Sequence, residues 1–245
     1  MKIGQPDSAG HEHACARVSA RFRELWLRIY VGRKLRTDPV FPAAFELFRE
    51  SEESLLDVGC GVGLLSFYLR ERNFRRPIAG VDLDGRKIAR ARAVVCAGDY
   101  RGLEFLERDA NAELEHLGSV ALFDVLHYLP PAEQSQLLER LVLRIAPGGL
   151  LVVRDCPRDE NARFWSTYLA ERFAQWTTWN LRTPLHFPTR TELCAHFPAS
   201  EFERAITPLW GGTPFNNHLF IFRRRATAPA PAGRSDNPPP PAARG

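Results

Sequence analysis

The chain has 245 residues, of which 44% are hydrophobic and 25% charged, and a net charge of +4. That balance suits one folded domain with a sizeable core and excludes a low-complexity or fibrous chain. No run approaches the roughly 18 apolar residues of a membrane helix, and residues 1–14 lack the apolar core of a secretion signal, so a cytoplasmic protein with no membrane span is expected.

Arginine supplies most of the positive charge, because only Lys2, Lys34 and Lys87 are lysines. The five cysteines (Cys15, Cys60, Cys96, Cys156, Cys194) form no C-x-x-C pair, which argues for buried thiols over a disulfide framework or zinc site.

In chain order, residues 1–14 are expected to be flexible. Val18, Phe22, Leu25, Trp26 and Ile29 then predict one amphipathic helix ending near Gly32. Seven basic residues crowd this stretch (Arg17, Arg21, Arg23, Arg28, Arg33, Lys34, Arg36), giving a solvated face or a surface for an acidic partner. A short helix over 43–49 completes a helical cap spanning 15–50. Strand and helix signals then alternate: strand 54–58, helix 62–70, strand 77–81, helix 86–95, strands 103–106 and 119–123, helix 131–145 and strand 150–153. Such alternation implies a parallel sheet with helices on both faces, and ligands at the carboxyl ends of its strands. Residues 155–200 form an insertion carrying Phe164, Trp165, Tyr168, Phe173, Trp176 and Trp179 at largely helical spacing, either a packed helix or an aromatic lid. Thr189 to Glu192 is a capping box, and 202–206 opens a final hairpin. The domain closes near residue 225, and the Pro- and Ala-rich stretch 226–245 is expected to be disordered.

The strongest motif is Leu55-Leu56-Asp57-Val58-Gly59-Cys60-Gly61-Val62-Gly63, an apolar strand entering a turn of three glycines before a helix. A dinucleotide fingerprint needs G-x-G-x-x-G, but Leu64 holds its third glycine position. Asp57 would repel a pyrophosphate and suits a ligand bearing an ammonium group.

This run resembles motif I of class I methyltransferases dependent on S-adenosylmethionine (SAM). Further stretches follow in the family's order: Gly80-Val81-Asp82-Leu83-Asp84, Glu107-Arg108-Asp109-Ala110, Asp124-Val125-Leu126-His127-Tyr128-Leu129-Pro130 and Ile145-Ala146-Pro147-Gly148-Gly149. The resemblance implies a Rossmann-like α/β fold with a seven-stranded sheet, mostly parallel with an antiparallel last strand. It implies SAM as cofactor and S-adenosylhomocysteine as product. Cofactor contacts would come from Asp57, Gly59, Cys60, Gly61, Gly63, Asp82 (ribose), Leu83 (adenine face), Asp109 (adenine amino group), Ala110 and Asp124.

The sequence says less about the acceptor. The run after the fourth strand is not N-P-P-Y or D-P-P-Y, which argues against a nucleic-acid base. Asp124, Asp155 and Asn161 lack the spacing of a metal-assisted catechol methyltransferase, and no metal is expected. His127, His218 and Tyr128 are the candidate catalytic groups, a histidine pKa near 6.5 suiting deprotonation of an acidic hydroxyl. Tyr30, Lys34, Trp165, Tyr168, Phe215 and Asn216 are candidate acceptor contacts, with Asp38 also near the pocket and Lys34 or Arg33 able to meet the methionine carboxylate. The implied activity is O- or C-methylation of an aromatic or carboxylate-bearing metabolite, free or tethered to an acyl carrier protein, in a quinone-type or other biosynthetic pathway. The alternatives are an RNA or protein methyltransferase and a non-catalytic SAM-binding partner subunit.

Overall fold

The computed structural model describes residues 7–98, 100–112, 115–159, 161–177 and 184–226, with the side chains of 173–177 outside the description. The stretches 1–6 and 227–245, and Trp179, therefore lie outside the described residues. Helices α1 (Ser8–Ala20), α2 (Leu25–Thr37) and α3 (Val40–Phe48) lead into β1 (Leu55–Val58), α4 (Leu64–Glu71), β2 (Ile78–Asp82), α5 (Gly85–Ala97), β3 (Leu103–Glu107) and β4 (Ser119–Phe123). A 3-10 turn at Leu126–Tyr128 precedes α6 (Pro131–Val142), β5 (Leu150–Asp155), α7 (Ala162–Thr177), α8 (Arg190–Ala195), β6 (Phe202–Pro208) and β7 (His218–Arg224).

The seven strands form one sheet in the order β3-β2-β1-β4-β5-β7-β6. All neighbours pair parallel except β7, which is antiparallel to both β5 and β6. Strand order reverses between β1 and β4, so a crevice opens at their carboxyl ends. Every residue of β1 and of β5 is buried, as expected of parallel strands covered on both faces. Leu137, Leu138 and Leu141 of α6 pack on one face with Phe197, Phe202 and Phe222. The other face is covered by α1 to α5, through Val18, Leu35, Phe48, Phe67 and Ile88 among others. The capping box forms as read: Thr189 accepts from the Glu192 amide and Glu192 accepts from the Thr189 amide. Among the described residues, no helix is long and apolar enough to cross a membrane.

The N-terminal cap differs from its sequence reading. Helix begins at Ser8, not after residue 14, and the expected single helix is two, broken at Arg21–Glu24. Gly32 does not end a helix. It lies inside α2, where a Cβ would come within 3.4 Å of Ser19 Cβ, so it permits close packing against α1. The inward face of α2 is Leu27, Val31 and Leu35, whereas Leu25, Trp26 and Ile29 point to solvent.

Candidate active site

The glycine turn after β1 is fastened to the end of β2. The Gly59 and Cys60 amides donate to the Val81 carbonyl at 2.8 and 3.0 Å, and the Gly61 amide donates to Asp82 Oδ2 at 2.8 Å. The Asp84 amide donates to Asp82 Oδ1, also at 2.8 Å. Each Asp82 oxygen thus holds one backbone donor and keeps acceptor capacity for a ligand. Gly59, Gly61 and Gly63 all have positive φ (73°, 57° and 81°). A Cβ at Gly59 would lie 2.3 Å from Val125 Cγ2, whereas one at Gly61 would meet nothing within 4 Å.

A cavity of about 680 Å³ opens over this turn. Gly59, Asp82, Leu83, Asp109, Ala110 and Asp124 line it, so residues expected to meet a ribose, an adenine face and an adenine amino group share one wall. Leu83 is 72% exposed, its side chain offered to a flat apolar partner. Asp57 is buried beneath the turn, accepting from Ser66 Oγ at 3.0 Å. Burial, with Asp82 nearby, pushes its carboxyl up to about 7. A buried acid of this kind suits a cationic ligand group nearby. Burial likewise raises the Cys60 thiol, which therefore acts as a small apolar group. The chemistry of these residues fits S-adenosylmethionine, with Asp82, Asp109 and Asp57 the expected acids for its diol, amino group and ammonium.

Asp124 connects this cavity to a second of about 250 Å³, because it lines both. Its φ is 57°, a left-handed conformation that a non-glycine residue adopts at a cost of about 1–3 kcal/mol. The surroundings hold it there: its amide donates to the Arg154 carbonyl, and its carboxylate pairs with the Arg154 guanidinium. Arg154 is buried on β5 and also reaches Asp38, which pairs with Lys34 at 2.7 Å. Burial would raise the Asp38 carboxyl, but Arg154 and Lys34 outweigh it and hold the group at about 2.

His127 lines the second cavity and is 3% exposed. A carboxylate only accepts, so His127 Nδ1 donates to Asp155 Oδ1, at 2.9 Å. The ring lies stacked on Phe187 at 5.2 Å, and the backbone is pinned by the His186 amide donating to the His127 carbonyl. Gln134 Nε2 donates to the Leu126, Leu129 and His186 carbonyls and ties the same segments together. Among the described residues His127 Nε2 has no hydrogen-bond partner; Glu171 Oε2 is 4.0 Å away and accepts from the Tyr128 hydroxyl at 2.7 Å. Burial alone would lower the imidazole, but Asp155, with Glu171 behind it, raises it. Tyr128 is raised by burial and by Glu171, so its hydroxyl keeps its proton.

Lys34 and Phe215 line the cavity around His127, whereas Tyr30 is outside its lining, 52% exposed, and among the groups that raise Tyr128. Trp165 and Tyr168 line a separate cavity of about 450 Å³ between α6, α7 and α8. On α7 it is Thr167, Ala170 and Glu171 that face His127. Asn216 is buried, its amide nitrogen donating to Pro157 and Asp159, and Asn217 takes the place beside the cavity. His218 has both ring nitrogens occupied, with the Asn216 carbonyl at 2.8 Å and Arg190 at 3.0 Å, and it lies outside the lining of the His127 cavity. Burial and Arg190 lower its pKa. The sequence reading had not paired His127 with Asp155 or singled out Glu171 and Arg154. A polar row at helical spacing within the aromatic insertion (Thr167, Glu171) was the available signal for Glu171.

A Rossmann-like sheet with a glycine turn, an acid at the end of β2 and a histidine-bearing cavity at the switch point is the architecture expected of a group-transfer protein that binds an adenosyl ligand. A family model described as a methyltransferase domain matches residues 30–205, and the chain belongs to that family, whose cofactor is S-adenosylmethionine. It is similar to the carboxy-S-adenosyl-L-methionine synthases of Actinobacillus succinogenes (34% identical over 117 residues, 45% of this chain and 47% of that one) and Chromohalobacter salexigens (31% over 125 residues, 48% and 44%). The matched segment thus spans about half the length of these curated relatives. Among solved structures, an O-methyltransferase family protein from Burkholderia thailandensis superposes with a TM-score of 0.64 at 17% identity, covering 85% of this chain and 63% of that one. Magnesium protoporphyrin IX methyltransferase from Synechocystis PCC 6803, with bound S-adenosylhomocysteine, gives 0.54 at 16% identity, covering 91% and 90%. These two likenesses are of fold.

Proposed function

We propose that this chain transfers a methyl group from S-adenosylmethionine to a small aromatic acceptor bearing an acidic hydroxyl, with His127 as the base. One observation carries this reading: a buried histidine oriented through Nδ1 by Asp155, its Nε2 unpartnered among the described residues, in a cavity that shares Asp124 with the expected cofactor site. The bound cofactor supplies an electrophilic methyl on a sulfonium. His127 Nε2 takes the hydroxyl proton, and the Asp155 carboxylate stabilises the imidazolium that results. Deprotonation enriches both the oxygen and the conjugated ring carbons, so one base serves O- or C-methylation. Tyr128, Pro39, Leu209 and Phe215 shape the space and exclude water.

A cavity of 250 Å³ suits a single-ring acceptor. Its wall carries Asp38, Asp124 and Glu171 against Lys34 and Arg154, and Lys34 is already paired. A neutral acceptor therefore fits better than the carboxylate-bearing one that the sequence also allowed.

The relatives' name favours a second reading, in which the cofactor itself is carboxylated. The test is incubation of deuteromethyl-labelled cofactor with simple phenols and catechols, read by mass spectrometry. His127→Gln should lower turnover by about 10²–10⁴-fold with S-adenosylhomocysteine affinity changed by less than about threefold. Label that enters no phenol, together with a carboxylated cofactor product once a carboxylate-bearing donor is added, would replace the first reading by the second.

A further inference from the structure

Helix α2 is apolar on two sides. Leu27, Val31 and Leu35 are buried against the domain, while Leu25, Trp26, Ile29 and Tyr30 are 68%, 59%, 63% and 52% exposed. A helix apolar on both sides is normally covered on both, and four large side chains so exposed on two turns form the kind of patch that marks an interaction surface. Around them lie the exposed guanidiniums of Arg21, Arg23, Arg28 and Arg33. The other cations nearby are already neutralised: Arg17 by Glu71, Arg36 by Glu12 and Arg90 by Glu24. Arg23 and Arg33 have no carboxylate partner among the described residues. The patch thus joins an apolar ridge to uncompensated positive charge.

We infer that the outer face of α2 docks on an anionic membrane surface, Leu25, Trp26 and Ile29 entering the boundary between headgroups and acyl chains while the arginines meet lipid phosphates. The ridge is convex, and a convex ridge needs no complementary groove when hydrocarbon receives it. Tryptophan and tyrosine suit that boundary, with an apolar ring and one polar atom. The charge complementarity is to a surface of like negative charges. Charge alone had suggested an acidic carrier protein; the apolar row between the arginines is what shifts the reading. Lys34, on the same helix, lines the His127 cavity, so docking brings that opening to the bilayer. On the function proposed above, a hydrophobic phenol would then reach His127 without crossing bulk water.

Co-sedimentation with phosphatidylcholine vesicles, with and without phosphatidylglycerol, tests this without any turnover, so its failure leaves the methyl-transfer reading untouched. Wild type should sediment with the mixed vesicles and at least tenfold less with phosphatidylcholine alone. Leu25→Ser/Ile29→Ser and Arg23→Glu/Arg33→Glu should each lower the bound fraction at least tenfold, with unchanged circular dichroism. No sedimentation of wild type would overturn the inference, as would wild-type binding by the Leu25→Ser/Ile29→Ser variant. A dimer in light scattering that this variant dissociates would assign the face to a second copy instead.

Discussion

The two halves of the cleft meet at Asp124 but are held by different kinds of contact. The cofactor half is mostly backbone: glycine-turn amides on the Val81 carbonyl and on Asp82, all within residues 59–84. The acceptor half is side chains drawn from five segments: α2 and its exit, the turn after β4, β5 and its exit, α7 and the β6–β7 connection. Arg154 reaches Asp38 across 116 positions, His127 reaches Asp155 across 28, and Tyr128 reaches Glu171 across 43. A contiguous backbone cradle tolerates little variation and reads as a motif. A constellation of long-range ion pairs can be rebuilt around a new acceptor, which is how one fold hosts many chemistries.

The comparison breaks most visibly at Asp38. Asp38→Asn leaves the buried Arg154 short of one carboxylate and should cost roughly 3–5 kcal/mol of stability, read by denaturant unfolding, while S-adenosylhomocysteine binding survives. Because the folded carboxyl lies near 2, below its ordinary 3.8, its contribution is present above pH 4 and is lost as pH falls through 2. The gap between wild type and variant should close over that range. Loss of cofactor binding at neutral pH would show that the halves are not separable.

The glycine turn gives the next effect. Gly59→Ala combines positive φ with a Cβ 2.3 Å from Val125 and should destabilise by about 3 kcal/mol, against about 1 for Gly61→Ala, which has strain without a clash. Equal thermal shifts for the two would sink the packing argument.

Asp155→Asn acts on the other half. Asp155 raises His127, so removing its charge should move the acid limb of the kcat/KM profile to lower pH. An unmoved limb would assign that titration to another group. The smallest signal is from Asp57, raised to about 7 by burial. A cofactor ammonium favours its carboxylate, so binding at pH 6 should release part of a proton. The calorimetric enthalpy should then differ between phosphate and Tris buffers, and a buffer-independent enthalpy would separate Asp57 from the cofactor.

Legibility followed the same division. Asp82, Leu83, Asp109 and Asp124 were readable because each follows a strand end in a fixed order, and they do line one cavity. The aromatic row of α7 was readable as a helix but not as to which edge faced His127, since Phe164 and Tyr168 lie one helix edge away from Thr167 and Glu171. The cap was misjudged for a related reason. Two apolar sets, Leu25–Ile29 and Leu27–Leu35, share one helical period, and only packing against α1 decides between them.

The account rests most heavily on Asp82 as the cofactor anchor. Calorimetry of S-adenosylhomocysteine with wild type and Asp82→Ala tests it directly. Two charge-assisted ribose contacts of about 1.5–3 kcal/mol each predict micromolar binding by wild type and a loss of at least about 100-fold in the variant. Equal affinity for both proteins, or no binding by wild type, would contradict the assignment of the glycine turn and β2 as the cofactor site.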